Sequence, residues 1–137
     1  MVFEAPTDDI EKMRPPLGEA VSFTAEEDVI AGQVVKLSGD NAVAPSDTDG
    51  EVTYGIAMQT VPAGDDLNVN GSGVRCLFTA GDTVTAGDKL TSYGGTGEEG
   101  EVAPADATGD YVIGYAHEGA SEGDTFVGVV DRGGEIN

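Results

Sequence analysis

Residues 29–69 and 84–129 carry one pattern written twice, and any fold for this chain has to accommodate both copies. At an offset of 59, Val43-Ala44-Pro45 recurs as Val102-Ala103-Pro104, Asp47 as Asp106 and Gly50 as Gly109. In the same register Gly55-Ile56-Ala57 becomes Gly114-Tyr115-Ala116, and Gly64-Asp65 becomes Gly123-Asp124. Upstream the offset is 55, where Val29-Ile30-Ala31-Gly32-Gln33-Val34 corresponds to Val84-Thr85-Ala86-Gly87-Asp88-Lys89. The four additional residues of the second copy fall in Tyr93-Gly94-Gly95-Thr96-Gly97-Glu98-Glu99-Gly100, a glycine-rich acidic stretch that predicts a surface loop. Two copies are fewer than the roughly three that a solenoid requires, so a closed or paired-sheet domain with pseudo-twofold character is expected.

Within each copy, short runs of Val, Ile, Leu, Thr and Tyr are punctuated by Ala-Gly-Asp or Gly-Asp steps. That spacing predicts strands near Val21–Thr24, Gln33–Leu37, Ala42–Ala44, Val52–Met58, Leu67–Val69, Val74–Thr79, Lys89–Ser92, Glu101–Ala103, Tyr111–Ala116 and Thr125–Val130. The fold class is therefore all-β: a small β-barrel or β-sandwich built from two related halves. Glycine supplies positive φ at the turns and Asp bonds the neighbouring backbone, so the repeated Gly-Asp is turn chemistry before it is a ligand loop. Asn70-Gly71-Ser72 satisfies a glycosylation sequon, but between Val69 and Val74 it equally suits a hairpin turn.

A chain of 137 residues is long enough for one domain with a real core and too short for two ordinary ones. Its hydrophobic residues are mainly Val and Ala, Trp is absent, and the core should be lean. No apolar run is long enough for a membrane helix, and no basic segment followed by an apolar one opens the chain, so export by a signal peptide is not expected. The formal net charge of −20 is distributed along the chain and not gathered in a tail, as a folded acidic surface requires. Such a surface repels phosphate backbones and anionic lipid, which argues against nucleic-acid and membrane partners. At about 1 M salt the Debye length falls to about 3 Å, and the self-repulsion is screened. Few Lys with abundant Asp, Glu, Ala, Thr, Val and Gly resembles the composition of proteins of halophilic archaea and their viruses, with a merely acidic mesophile protein as the alternative.

Catalytic, metal and cofactor chemistry finds little here. His117 is the single histidine, and its counterpart in the first copy is Met58, which marks an ordinary strand-side position. Cys76 is the single cysteine, alternates with Val74 and Phe78, and reads as a small core hydrophobe. Without a second His no zinc set is credible, and no Gly-x-Ser-x-Gly elbow occurs. Asp47-Thr48-Asp49-Gly50-Glu51 echoes the start of a calcium loop but lacks its ligand order. The stretch from Gly94 to Gly100 has glutamates where a phosphate loop needs lysine and bare amides. No catalytic residue, metal site or cofactor is expected.

Residues 1–19 have no counterpart in either copy and read as an extended N-terminal arm preceding a β-domain of residues 20–137. Thr7 can cap one helical turn carrying Ile10 and Met13, and Arg14-Pro15-Pro16 ends it. Val2, Phe3, Ile10, Met13 and Leu17 are too many apolar groups for a tail that touches nothing, so the arm is expected to dock on a partner.

The order Ile30-Ala31-Gly32-Gln33-Val34-Val35, Ala42-Val43-Ala44-Pro45, Tyr54-Gly55-Ile56-Ala57 and Val61-Pro62-Ala63-Gly64-Asp65, followed by Val84-Thr85-Ala86-Gly87-Asp88-Lys89-Leu90 and Val112-Ile113-Gly114-Tyr115-Ala116, resembles the small capsid cement, or decoration, proteins of tailed viruses. The resemblance spans about residues 20–130 and implies a non-enzymatic virion protein on the capsid exterior. It further implies a homotrimer at local threefold positions, the major capsid protein as partner, and residence in the host cytoplasm during assembly. A virion adhesin or other soluble binding module is the alternative. A lipoyl- or biotinyl-like carrier is a further one, which would need Lys36 or Lys89 at a hairpin tip. If the acidity is an adaptation to salt, the thermal midpoint will rise from dilute buffer to molar NaCl or KCl; a midpoint that stays level or falls assigns the acidity to another cause.

Overall fold

The computed structural model describes residues 20–137 apart from Val74 and Thr96. Ten strands run in chain order: β1 (Ala20–Ala25), β2 (Val34–Gly39), β3 (Ala42–Pro45), β4 (Gly55–Ala57), β5 (Asp66–Asn70), β6 (Arg75–Thr79), β7 (Lys89–Ser92), β8 (Val102–Pro104), β9 (Tyr111–Ala116) and β10 (Thr125–Glu135). The first five close into a barrel in the order β1-β3-β2-β4-β5, and the last five form a sheet in the order β6-β10-β9-β7-β8. These are the same ring. A parallel contact, Ala25↔Val43, joins β1 to β3 in the first half, and Ala80↔Val102 brings the two edges of the second sheet together at the equivalent position. The architecture is all-β, with two barrel-like halves.

The repeat is reproduced bond by bond. Gln33 N–H donates to Ile30 O at 3.0 Å, and Asp88 N–H to Thr85 O at 3.0 Å. Each turn is braced by a side chain, with Ile30 N–H donating to Gln33 Oε1 and Thr85 N–H to Asp88 Oδ2, both at 2.8 Å. Gly32 and Gly87 hold φ at 94° and 91°, the left-handed values required at the third position of this kind of turn. Further along, Gly55 and Gly114 lie where neighbouring strands approach so closely that a Cβ would stand 2.2 Å from Asn70 O and 2.0 Å from Val129 O.

Each half fills its own interior with equivalent residues. Phe23, Ala25, Val29, Val35, Val43, Ala57 and Leu67 pack together in the first; Phe78, Ala80, Val84, Leu90, Val102, Ala116 and Phe126 do so in the second. Phe78 and Phe126 stack at 5.7 Å. Two buried residues break the correspondence. Val34 and Ile56, opposite one another on β2 and β4, point out of the first barrel into the core cluster of the second half. Their counterparts on the second half are Lys89, which is exposed, and Tyr115, which is half-buried. The contact between halves is thus one-sided: the two halves share a fold but not the role of this face.

Two local expectations change, and the loop after β7 gains a role. Its end, Glu99-Gly100, closes onto the other half: Val34 N–H donates to Gly100 O (2.9 Å), Gly100 N–H to Ser46 O (2.8 Å), and Gln33 Nε2 to Glu99 O (3.0 Å). The segment around Asn70-Gly71-Ser72 is no hairpin, because β5 pairs with β1 and β4 while β6 pairs with β10; the turn is the connection between halves. The predicted strand from Val52 begins only at Gly55, and β10 runs past Val130, through a register shift, to Glu135. Val74 lies outside the described residues.

Replacing Ile56 by Ala opens a cavity between the halves and should cost about 2–5 kcal/mol in urea unfolding. Lys89→Ala, at the equivalent strand position of the second half, should stay within about 0.5 kcal/mol. Equal effects would mean that the two faces are not distinguished by burial.

Candidate functional site

The sequence offers carboxylates everywhere, and the fold employs many of them locally. Glu51 Oε2 accepts from Asp47 N–H (2.7 Å) and Thr48 N–H (2.8 Å), and Lys36 Nζ sits 2.7 Å from Asp47 Oδ1 and 3.4 Å from Glu51 Oε1. The Lys36 hydrogen bond holds the Asp47 carboxyl below its ordinary range, and the same bond, with Glu51 nearby, raises the lysine. Their favourable contribution is therefore present between the two titrations, lost as pH falls through the lowered Asp47 value and lost again as it rises through the raised Lys36 value. The pair is well exposed, so salt screens it. The segment that echoes a calcium loop is a lysine-closed turn.

Lys36 lies within β2 and Lys89 within β7, so neither occupies the hairpin tip that a swinging carrier lysine needs. His117 is exposed, like Met58 at the equivalent position. Cys76 packs partly buried against the second core, and burial pushes its thiol up to about 11, against a smaller opposing effect of a backbone hydrogen bond with Val130. At neutral pH it is a hydrophobe and not a nucleophile.

Two apolar features stand out from an otherwise acidic exterior. One lies along the seam, where Met58 and Leu77 flank a trough that includes Gly32, Ala57 and Cys76, with exposed Ile30 close by in sequence. The equivalent residues in the other copy are Thr85 for Ile30, His117 for Met58 and Ser22 for Leu77, so the fold itself does not require apolar groups there. The other is a groove of about 210 Å³ walled by Leu37, Val52, Thr53, Tyr54, Tyr111 and Arg132. Tyr54 is fixed by an edge-on contact with Phe23 at 5.0 Å, and the Arg132 guanidinium lies 4.9 Å from the centre of its ring. Arg132 reaches this position because β10 shifts register between Val130 and Gly134, turning the intervening residues outward.

The anticipated docking residues Val2, Phe3, Ile10, Met13 and Leu17 lie outside the described residues. The groove was not anticipated. Leu37 and Val52 read as strand hydrophobes, and nothing in the sequence connects Tyr54 with Arg132, which are brought together only when the second half packs on the first.

A family model described as phage cement protein matches residues 16–131. Among solved structures the chain is similar to the head fiber gp8.5 N base of bacteriophage phi29, with a TM-score of 0.64 and 24% identity, covering 87% of this chain and 98% of that one. At that identity the likeness is one of fold. No curated protein matches the chain.

Alkylation of Cys76 in the native protein at pH 8 should be at least ~10-fold slower than in the urea-unfolded chain, because the free thiol titrates near 8.5. Equal rates would remove Cys76 from the packed core and leave it available for chemistry.

Proposed function

Because the chain belongs to the phage cement protein family, we propose that it is a structural protein of a tailed-virus virion, bound to the outer surface of the icosahedral head, where it stabilises the capsid. The family is one of structural phage proteins, not of enzymes. The single observation that carries the reading is the family match along residues 16–131, which takes in both copies of the repeat. The physical character of the domain supports it. Both halves devote their interiors to packing, the apolar groups left over lie on the surface, and a surface contact is all that a cement role requires.

The partner in this reading is the major capsid protein, and the functional unit is a homotrimer at local threefold positions. The chain is made in the host cytoplasm, joins the head during assembly, and binds neither nucleic acid nor membrane, since a net charge of −20 disfavours both. The acidity fits a virus of a salt-loving host. Residues 1–19 form the docking arm and residues 20–137 the β-domain. Val2, Phe3, Ile10, Met13 and Leu17 make the arm's apolar contacts, which persist at molar salt where exposed ion pairs are screened. An extended arm can add a strand to an open sheet edge of the capsid protein, and three arms per trimer multiply a weak single contact.

Deleting residues 1–17 should leave a cooperatively melting β-domain and reduce occupancy at least tenfold when the protein is added back to stripped heads. Full decoration by the truncated protein would put the binding face on the β-domain. Density with threefold symmetry at each occupied site supports the trimer; single copies at capsomer centres refute it.

A further inference from the structure

The groove beside Tyr54 combines three features that the β-domain leaves unused. Its walls are apolar, and Val52 is 62% exposed on one of them. Thr53 is 2% exposed, yet its Oγ1 has no hydrogen-bond partner among the described residues. The backbone of Val52 and Thr53 is extended in sequence preference but lies outside the ladder, and among the described residues no backbone hydrogen bond falls on either. A buried hydroxyl without a partner is unfavourable, and a strand-forming segment without a neighbour is an open edge. Apolar walls, an open edge and the Arg132 guanidinium together specify the occupant: an extended peptide bearing apolar side chains and a carboxylate.

Such a segment is present in this chain. Residues 1–19 intersperse the apolar Val2, Phe3, Ile10, Met13 and Leu17 with the acidic Glu4, Asp8, Asp9 and Glu11, and Met1-Val2-Phe3-Glu4-Ala5-Pro6 is extended by composition. The described chain starts beside the groove: Ala20 stands in register with Asn70, and the next residue, Gly71, lies directly under the Tyr54 ring, where a Cβ would sit 3.1 Å from it. Nineteen residues can span up to about 60 Å when extended, far more than this distance requires.

We infer that the groove is the seat of the chain's own residues 1–19 while the protein is free of the head, the segment adding a strand along Val52 and Thr53 with a carboxylate on Arg132. The inference rests on the reading of residues 1–19 as a docking arm, and it gives that arm two exclusive sites. In the free protein its apolar side chains are held against Leu37, Val52 and Tyr111 and do not drive aggregation at high salt. On the head the same side chains engage the capsid protein, so head binding has to release them first. The seat lowers apparent affinity for the head by the fraction of chains in which the arm is seated.

Limited trypsin digestion of the full-length protein in molar salt tests this, because the Lys12–Met13 bond is cleavable whereas Arg14 precedes proline. Cleavage after Lys12 should be slow in the native chain and at least tenfold faster in Val52→Asp and in Arg132→Glu, both changes at exposed positions. Leu77→Asp, equally exposed but away from the groove, should leave the rate unchanged. Amide exchange at Val52 and Thr53 should in turn quicken at least tenfold once the segment has been cut. Identical cleavage in wild type and both groove variants overturns the inference, as does protection that disappears on dilution, which would assign the seat to a second copy. Occupancy on stripped heads, measured on the same variants, is a separate readout. A lost seat with intact head binding sinks only this inference, and an intact seat with head binding independent of the arm sinks only the docking role.

Discussion

The burial of Val34 and Ile56 between the halves is the contact on which the molecule depends. Each barrel has an interior only a few side chains wide, too small to offset the conformational entropy of ordering some fifty residues with much margin. Joining the two through an outward-facing Val and Ile adds apolar area that neither half possesses alone. It also sets which surfaces remain. With the outer face of β2 and β4 covered, the equivalent face of β7 and β9 must end the stack, and it does so with the exposed Lys89 and the half-buried Tyr115. A repeat that kept Val and Ile at both positions would present a sticky face with no partner, the kind of heterologous contact that propagates into filaments.

The same asymmetry explains the four additional residues of the second copy. The β2–β3 turn of the first half is tight, with Asn41 at a φ of 51°, and has nothing to reach. The matching β7–β8 connection is longer and closes across the seam, where Gly94 N–H donates to Asp49 Oδ1 at 2.6 Å and a Cβ on Gly100 would collide with the Gln33 side chain. Acidic residues are similarly dual in purpose. Asp28, Asp49, Asp88 and Asp110 each accept a backbone N–H in a turn or loop, and Glu118 accepts that of Val127 in β10, while keeping their charge at the surface. Acidity is therefore part of how the turns are built, and the solvent then has to screen the charge that accumulates.

The barrel interiors were legible in the sequence because period-two alternation and Gly-Asp turns are local signals, and the offsets of 55 and 59 name the equivalent hydrogen bonds before any coordinates exist. The strand at Tyr111–Ala116 is recovered to the residue. What was not legible is long-range. Whether Asn70-Gly71-Ser72 closes a hairpin or crosses between halves depends on which strand β6 finds, and no local residue encodes that choice. Val34 and Ile56 read as core on any reckoning; that they serve the neighbouring half's core emerges only from their polar counterparts. The groove was illegible because its parts, Leu37, Tyr54, Tyr111 and Arg132, are scattered along the chain and meet through the register shift in β10.

An internal repeat also supplies its own control for function. Where the copies agree, as at Ala25 and Ala80, Val43 and Val102, or Ala57 and Ala116, the shared barrel dictates the residue. Where they differ at the surface, the barrel tolerates either choice and another demand has selected one. Ile30, Met58 and Leu77 are apolar against Thr85, His117 and Ser22, and all three are exposed. In water each such side chain forgoes the roughly 1.5–3 kcal/mol that burial would return, a forfeit that makes sense for a protein whose working state is bound. Scattered exposed hydrophobes need no explanation on most proteins. On a domain with this few large apolar residues, leaving these three outside, together with Val21, Leu37 and Val52, while alanines line the cores argues that the surface was built for contact as firmly as the interiors were built for closure.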